Sequence, residues 1–158
     1  CGLHALDSCR IEKAFRHFGH DISNEDHVLE AGLGFAVKEG KADTRFGGMI
    51  GADAVKAKRN DGLSQRLMQF RLNDPDPLLY HNEAILRDGE IVGYLTSGNY
   101  GHHLAGAIGL GYVKCGVAGE SAQDQLNSSY SIDIAGKIIE AEVSFKPMYD
   151  PKAVQVRL

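Results

Sequence analysis

The sequence predicts an α+β fold: a helix-bearing segment over residues 1–62, then a small antiparallel β-barrel or sandwich over residues 63–158. Three observations carry this. Leu3, Asp7, Ile11, Phe15 and Phe18 step along one helical face, apolar except for Asp7. The composition shifts near residue 63, after which short β-like runs alternate with turn residues. Two of those turns, Arg87-Asp88-Gly89 and Gly136-Lys137, carry the residues that tight hairpins favour.

In chain order, the first helix is expected to run to a left-handed cap at Gly19. Residues 21–26 (DISNED) form an acidic loop, and residues 32–37 (GLGFAV) read as a short buried strand. Residues 38–43 (KEGKAD) are a turn, and residues 46–51 (FGGMIG) are too glycine-rich for regular structure. A short helix over residues 52–59 stops at Asn60-Asp61-Gly62. Strands are expected over residues 66–72, 83–86, 90–97, 107–113, 130–135 and 138–145, with Asp74-Pro75-Asp76-Pro77 as a rigid turn and residues 116–129 as a polar loop.

With 158 residues the chain fits one domain or two small packed ones, and it can bury a core without staples. A net charge of −4 gives no electrostatic footprint for nucleic acid. No apolar run approaches a membrane span. The odd set Cys1, Cys9 and Cys115, with no CxxC spacing, argues against a zinc site or disulfide framework and fits a reducing compartment, so cytoplasmic placement is expected. The opening at Cys1, with a helical pattern under way by Leu6, reads as a piece of a longer polypeptide.

Four kinds of chemistry each have a blander alternative in this sequence. His17 and His20 share a helical face, but Lys13 and Arg16 lie on it too and would repel a metal, while His102-His103 lack a carboxylate or thiolate at ligand spacing; no metal is expected. Residues 106–111 (GAIGLG) run in the order GxxGxG before a strand, so their glycines fit close strand packing better than a phosphate loop. No GxSxG occurs, and Cys9 reads as a small core thiol, so no catalytic residue is named. Glu12, in a row with Ala5 and Cys9, reads either as an exposed i, i+4 partner of Arg16 or as a carboxylate that a ligand can reach. Spacing alone favours the first.

The order of motifs adds a resemblance. Residues 5–13 (ALDSCRIEK), 19–22 (GHDI) and 29–33 (LEAGL), followed by Thr96-Ser97-Gly98, Gly111-Tyr112-Val113 and residues 147–151 (PMYDP), are similar to the aminomethyltransferase family, the T-protein of the glycine cleavage system and its relatives. Residues 16–19 (RHFG) and 30–35 (EAGLGF) lean toward one branch, the folate-binding C-terminal region of dimethylglycine and sarcosine dehydrogenases. The resemblance implies the end of a ferredoxin-like α+β domain over residues 1–62 and a T-protein-type barrel over residues 63–158.

It also implies chemistry. In such enzymes a flavin (FAD) domain oxidises an N-methyl amine and tetrahydrofolate captures the one-carbon unit. The family's folate-binding glutamate maps onto Glu12, Phe35 matches a frequently aromatic position near the pterin, and Arg10 matches the family helix. The expected ligands are therefore tetrahydrofolate and, through the parent enzyme, a small N-methyl amine, with FAD bound outside these residues. A eukaryotic parent would place it in the mitochondrial matrix. The rival readings are an aminomethyltransferase or another folate-dependent demethylase, and, from another class, a non-catalytic folate-binding or interaction module. An iron–sulfur-assembly relative would carry a K-G-C-Y-x-G-Q-E-like motif, which is absent. Residues 45–55 depart from the family's D-F-I-G-R-E-A-L-like pattern.

Overall fold

The computed structural model describes residues 1–37, 49–116 and 120–157. The expected turn at residues 38–43, together with Arg45, falls outside them. The helix α1 spans Leu3–Glu12 and is shorter than the periodicity implied. Lys13 is its C-cap, and Ala14, at φ +51°, turns the backbone out of the helical region. Gly19 does take a positive φ of 94°, but in the turn where its N–H bonds the Ile22 carbonyl rather than at a helix end. Of the expected apolar face only Ile11 enters a core; Leu3, Phe15 and Phe18 are exposed.

Residues 32–37 are not a strand. A single 3-10 turn, Gly34–Ala36, follows Gly32, which sits at φ +69° over the Arg16 side chain. The helix α2, Ala52–Asp61, ends where Gly62 takes φ +87°. The polar loop after Gly116 contains a five-residue helix, α3 (Ala122–Leu126), started by a reciprocal capping box between Ser121 and Asp124. Glu30 ties this N-terminal region to the β unit. Its Oε1 accepts from Ser64 N–H (2.9 Å) and Oγ (2.6 Å), and its backbone carbonyl accepts from Leu67.

The β unit is a closed six-stranded antiparallel barrel: β1 (Gln65–Leu72), β2 (Ala84–Arg87), β3 (Glu90–Gly101), β4 (Gly106–Lys114), β5 (Tyr130–Ile134) and β6 (Lys137–Ser144), in the cyclic order β1-β4-β3-β2-β5-β6. Closure leaves no unpaired edge. Both expected hairpins form, with Asp88-Gly89 and Ala135-Gly136 supplying consecutive positive φ values. The glycine-rich run is strand β4, and its glycines are close-approach positions. A Cβ on Gly109 would lie 2.9 Å from the Ser97 carbonyl oxygen, and one on Gly111 would lie 2.7 Å from that of Tyr94.

Two cores result. Met68, Phe70, Leu72, Ile85, Leu95, Tyr130 and Ile132 fill the barrel. Ile11 and Ala14 pack on Leu67, Ile108 and Leu110 and seat α1 against β3 and β4. Among the described residues no helix is long and apolar enough to cross a membrane.

Candidate functional site

The end of α1 sends Arg10 and Glu12 in different directions, as residues two apart on a helix must. The Arg10 guanidinium turns toward β3. It donates to Asp7 (2.8 Å), to Ser97 Oγ (2.8 Å) and to the buried carboxylate of Asp21. Asp21 is held further by Thr96 Oγ1 (2.6 Å), Ser97 Oγ (2.7 Å) and the His17 N–H (2.9 Å). This knot fixes α1, the loop after it and β3 to one another. It forms the floor of a polar cleft of about 230 Å³ whose rim includes His4, His20, Tyr80 and His81.

Glu12 is 2% exposed, so it is not the exposed surface carboxylate that its spacing suggests. It is not paired with Arg16 either. Arg16 instead donates to the carbonyls of Ala31 (2.9 Å) and Ala14 (2.8 Å), and burial lowers its pKa against the opposing field of Asp21. Glu12 turns to the connection between β3 and β4. Its Oε1 accepts from the backbone N–H of His103 (2.6 Å) and Leu104 (3.1 Å), and its Oε2 lies 3.0 Å from His103 Nδ1.

The His103 ring stacks on Tyr149, with centroids 4.2 Å apart. The Lys13 ammonium lies 5.8 Å from that tyrosine's ring centre and donates to the Asp150 carbonyl (2.6 Å) and carboxylate (3.1 Å). Gln69 of β1 completes the frame: its Nε2 donates to the Ile11 and Glu12 carbonyls, and its Oε1 accepts from Met148.

Phe35 stands apart from both. It is 81% exposed and lines a second cleft of about 450 Å³, together with Lys13, Phe15, Arg16, Leu33, Phe145 and Lys146. Apolar ring faces and cationic groups therefore meet in one concave site. Lys146 is exposed and has no ion-pair partner among the described residues. Such a cleft suits a flat aromatic ligand bearing acidic groups.

Of the three residues predicted to bind, Phe35 lines this cleft, Arg10 lines the polar one, and Glu12 lines neither. Lys13 joins the regions, because it borders the aromatic cleft and also reaches Tyr149. His103 and Tyr149 were missed as partners of Glu12. They lie 91 and 137 residues further along the chain, and only the adjacent pair His102-His103 and the motif at 147–151 drew notice to them. Among the described residues no group of three or more His, Cys, Asp or Glu side chains is placed to hold a metal ion.

Comparison with known proteins agrees with this architecture. Residues 65–150 match the glycine cleavage T-protein C-terminal barrel domain, and residues 1–41 match the GCVT N-terminal domain. A 4-methylaminobutanoate oxidase (formaldehyde-forming) of Paenarthrobacter nicotinovorans is 38% identical over 99% of the chain, which covers 18% of that protein. Human mitochondrial sarcosine dehydrogenase is 32% identical over 99% of the chain, covering 17% of its length. An aminomethyltransferase of Geobacillus kaustophilus is 34% identical over 94% of the chain, covering 38% of its length. The crystal structure of aminomethyltransferase T from Bartonella henselae superposes with a TM-score of 0.73 over 90% of the chain and 37% of that protein, at 24% identity, a likeness of fold. The chain spans under a fifth of the oxidase and dehydrogenase relatives and under two fifths of the aminomethyltransferases. With its closed barrel matched over residues 65–150, the chain belongs to the glycine cleavage T-protein family.

Proposed function

We propose that the chain is the C-terminal part of the tetrahydrofolate-binding unit of a flavin-dependent N-demethylating dehydrogenase of the dimethylglycine or sarcosine type. The observation that carries this is the exposed ring of Phe35 on a cleft whose other walls combine Phe15 and Phe145 with Lys13 and Lys146. Tetrahydrofolate offers a ring system for the aromatic faces and a carboxylated tail for the cations. Phe35 is the direct contact. Arg10 and Glu12 belong to the site through the frame they hold: Arg10 fixes the loop through Asp21, and Glu12 fixes the β3–β4 connection. In this reading residues 1–62 close the folate domain and residues 63–158 form the barrel that backs it. FAD binds in the preceding part of the parent polypeptide and supplies the amine oxidation. The supporting relatives are the oxidase and the dehydrogenase, which align over 99% of the chain.

The test is titration of the chain with tetrahydrofolate, followed by amide chemical shifts. Shifts clustered on Phe15, Leu33, Phe35 and Lys146, and lost in Phe35→Ala, support the reading. Binding elsewhere, or none, overturns it for these residues. A second reading, an aminomethyltransferase, is favoured by the 34% identity to the Geobacillus protein. The residues preceding Cys1 in the parent polypeptide separate the two: a GxGxxG flavin fingerprint there supports the dehydrogenase.

A further inference from the structure

The polar cleft floored by the Arg10–Asp21 knot carries a charge balance that favours one class of ligand. Its buried cation is fully engaged. Arg10 Nε donates to Asp7, one terminal nitrogen to the Phe15 carbonyl and Asp21, and the other to Ser97 Oγ. One guanidinium is thus set against two carboxylates, and the floor is left with net negative charge. Asp7 is the accessible half of that excess. It lines the cleft, and its side chain is 32% exposed against 0% for Asp21. Arg10 occupies Oδ1, and among the described residues Oδ2 of Asp7 has no hydrogen-bond partner.

The walls above this carboxylate are aromatic and apolar. Leu78 and Tyr80, the latter 67% exposed, come from the connection between β1 and β2, and Tyr100 comes from β3. That connection is seated closely on β3. A Cβ on Gly98 would lie 2.5 Å from the Leu79 carbonyl carbon, and Asn82 N–H donates to the Leu95 carbonyl (2.8 Å). At the rim, the imidazoles of His4, His20 and His81 both donate and accept while neutral. A space of about 230 Å³ limits the occupant to a small molecule.

We propose that this cleft binds a small organic ammonium ion, a protonated alkyl or N-methyl amine, with an N–H on Asp7 Oδ2 and its alkyl groups against Leu78, Tyr80 and Tyr100. The carboxylate supplies a charge-assisted hydrogen bond, and the ring faces attract the cation beside it. An anion meets the opposite, an excess of carboxylate and a guanidinium with every nitrogen occupied. The ligand class follows from charge and lining alone. That the ligand is the amine of the parent enzyme's own reaction rests on the dehydrogenase reading. The cleft shares no lining residue with the one that holds Phe35.

Titration of the chain with dimethylammonium chloride, followed by amide chemical shifts, tests the proposal, with sodium chloride and sodium acetate at matched ionic strength as controls. Saturable shifts on Asp7, Tyr80 and residues 97–100 are expected with dimethylammonium and with neither control. Asp7→Asn keeps an oxygen for Arg10 but loses the charge, and affinity should fall roughly tenfold or more. Tyr80→Leu removes an exposed ring and should weaken binding about threefold. The proposal is overturned by the absence of saturable dimethylammonium binding, or by acetate saturating the same residues. Unchanged affinity in Asp7→Asn, with barrel amides dispersed as in wild type, overturns it equally. Tetrahydrofolate added to Asp7→Asn keeps the two readings apart. Folate shifts at Phe35 without amine binding in the wild type leave the folate reading standing and sink this one. Amine binding at Asp7 without any folate shifts does the reverse.

Discussion

At the scale of single residues, Glu12 and Phe35, both placed near the pterin by the family pattern, differ in exposure. Glu12 is buried against the β3–β4 connection, and Phe35 is exposed on a cleft. Truncation should separate them. Glu12→Ala strands two backbone donors and an imidazole, and a loss of roughly 3 kcal/mol in unfolding free energy is expected by denaturant titration. Phe35→Ala removes an exposed ring and should stay within about 0.5 kcal/mol of wild type in the same measurement.

Glu30 gives a pH prediction. Burial pushes its carboxyl up, but hydrogen bonds from Lys58 and Ser64, with the Lys58 charge, outweigh that and hold it at about 2 instead of 4.5. A depressed folded value means stability present above the ordinary glutamate range and lost as pH falls toward 2. Thermal midpoints followed from pH 5 to pH 2 should therefore drop more steeply for wild type than for Glu30→Gln. Parallel curves would remove Glu30 as the cause.

At the scale of elements, the β unit was far more legible than the helical one. Turn chemistry is local, so Asp88-Gly89 and Gly136 announced their hairpins from a few residues. The end of α1 was not legible, because Phe15 and Phe18 continue the helical spacing beyond the point where Ala14 leaves the helical region. That break is set by tertiary partners: Arg10 reaches the Phe15 carbonyl, and Arg16 reaches those of Ala14 and Ala31. Residues 32–37 misled for a related reason, since a short apolar run has no period of its own. The helix α3 lay hidden in a polar stretch, yet Ser121 and Asp124 are a capping box three residues apart. Ser121→Ala should cost about 1 kcal/mol of stability by thermal or denaturant unfolding, because the helix is short and its start depends on that side chain.

At the scale of the whole molecule, α1 and the C-terminal segment are joined across the barrel by a few long-range polar links. Gln69 bridges the helix end and Met148, Lys13 binds Asp150, and Glu12 binds the β3–β4 connection. None of these pairings shows in a local sequence window, which is why the candidate residues were found but not their partners. The family match covers the barrel, and the relatives extend well beyond this chain. The central claim, that this region captures a one-carbon unit on folate through the Phe35 cleft, belongs to the parent enzyme. Its most direct test is the amount of free formaldehyde released per amine oxidised, with tetrahydrofolate present, for wild-type parent enzyme and its Phe35→Ala variant. The account predicts equal oxidation rates, with formaldehyde release raised in the variant toward the level seen without folate. Equal formaldehyde release by the two proteins, with tetrahydrofolate suppressing it equally, would contradict it.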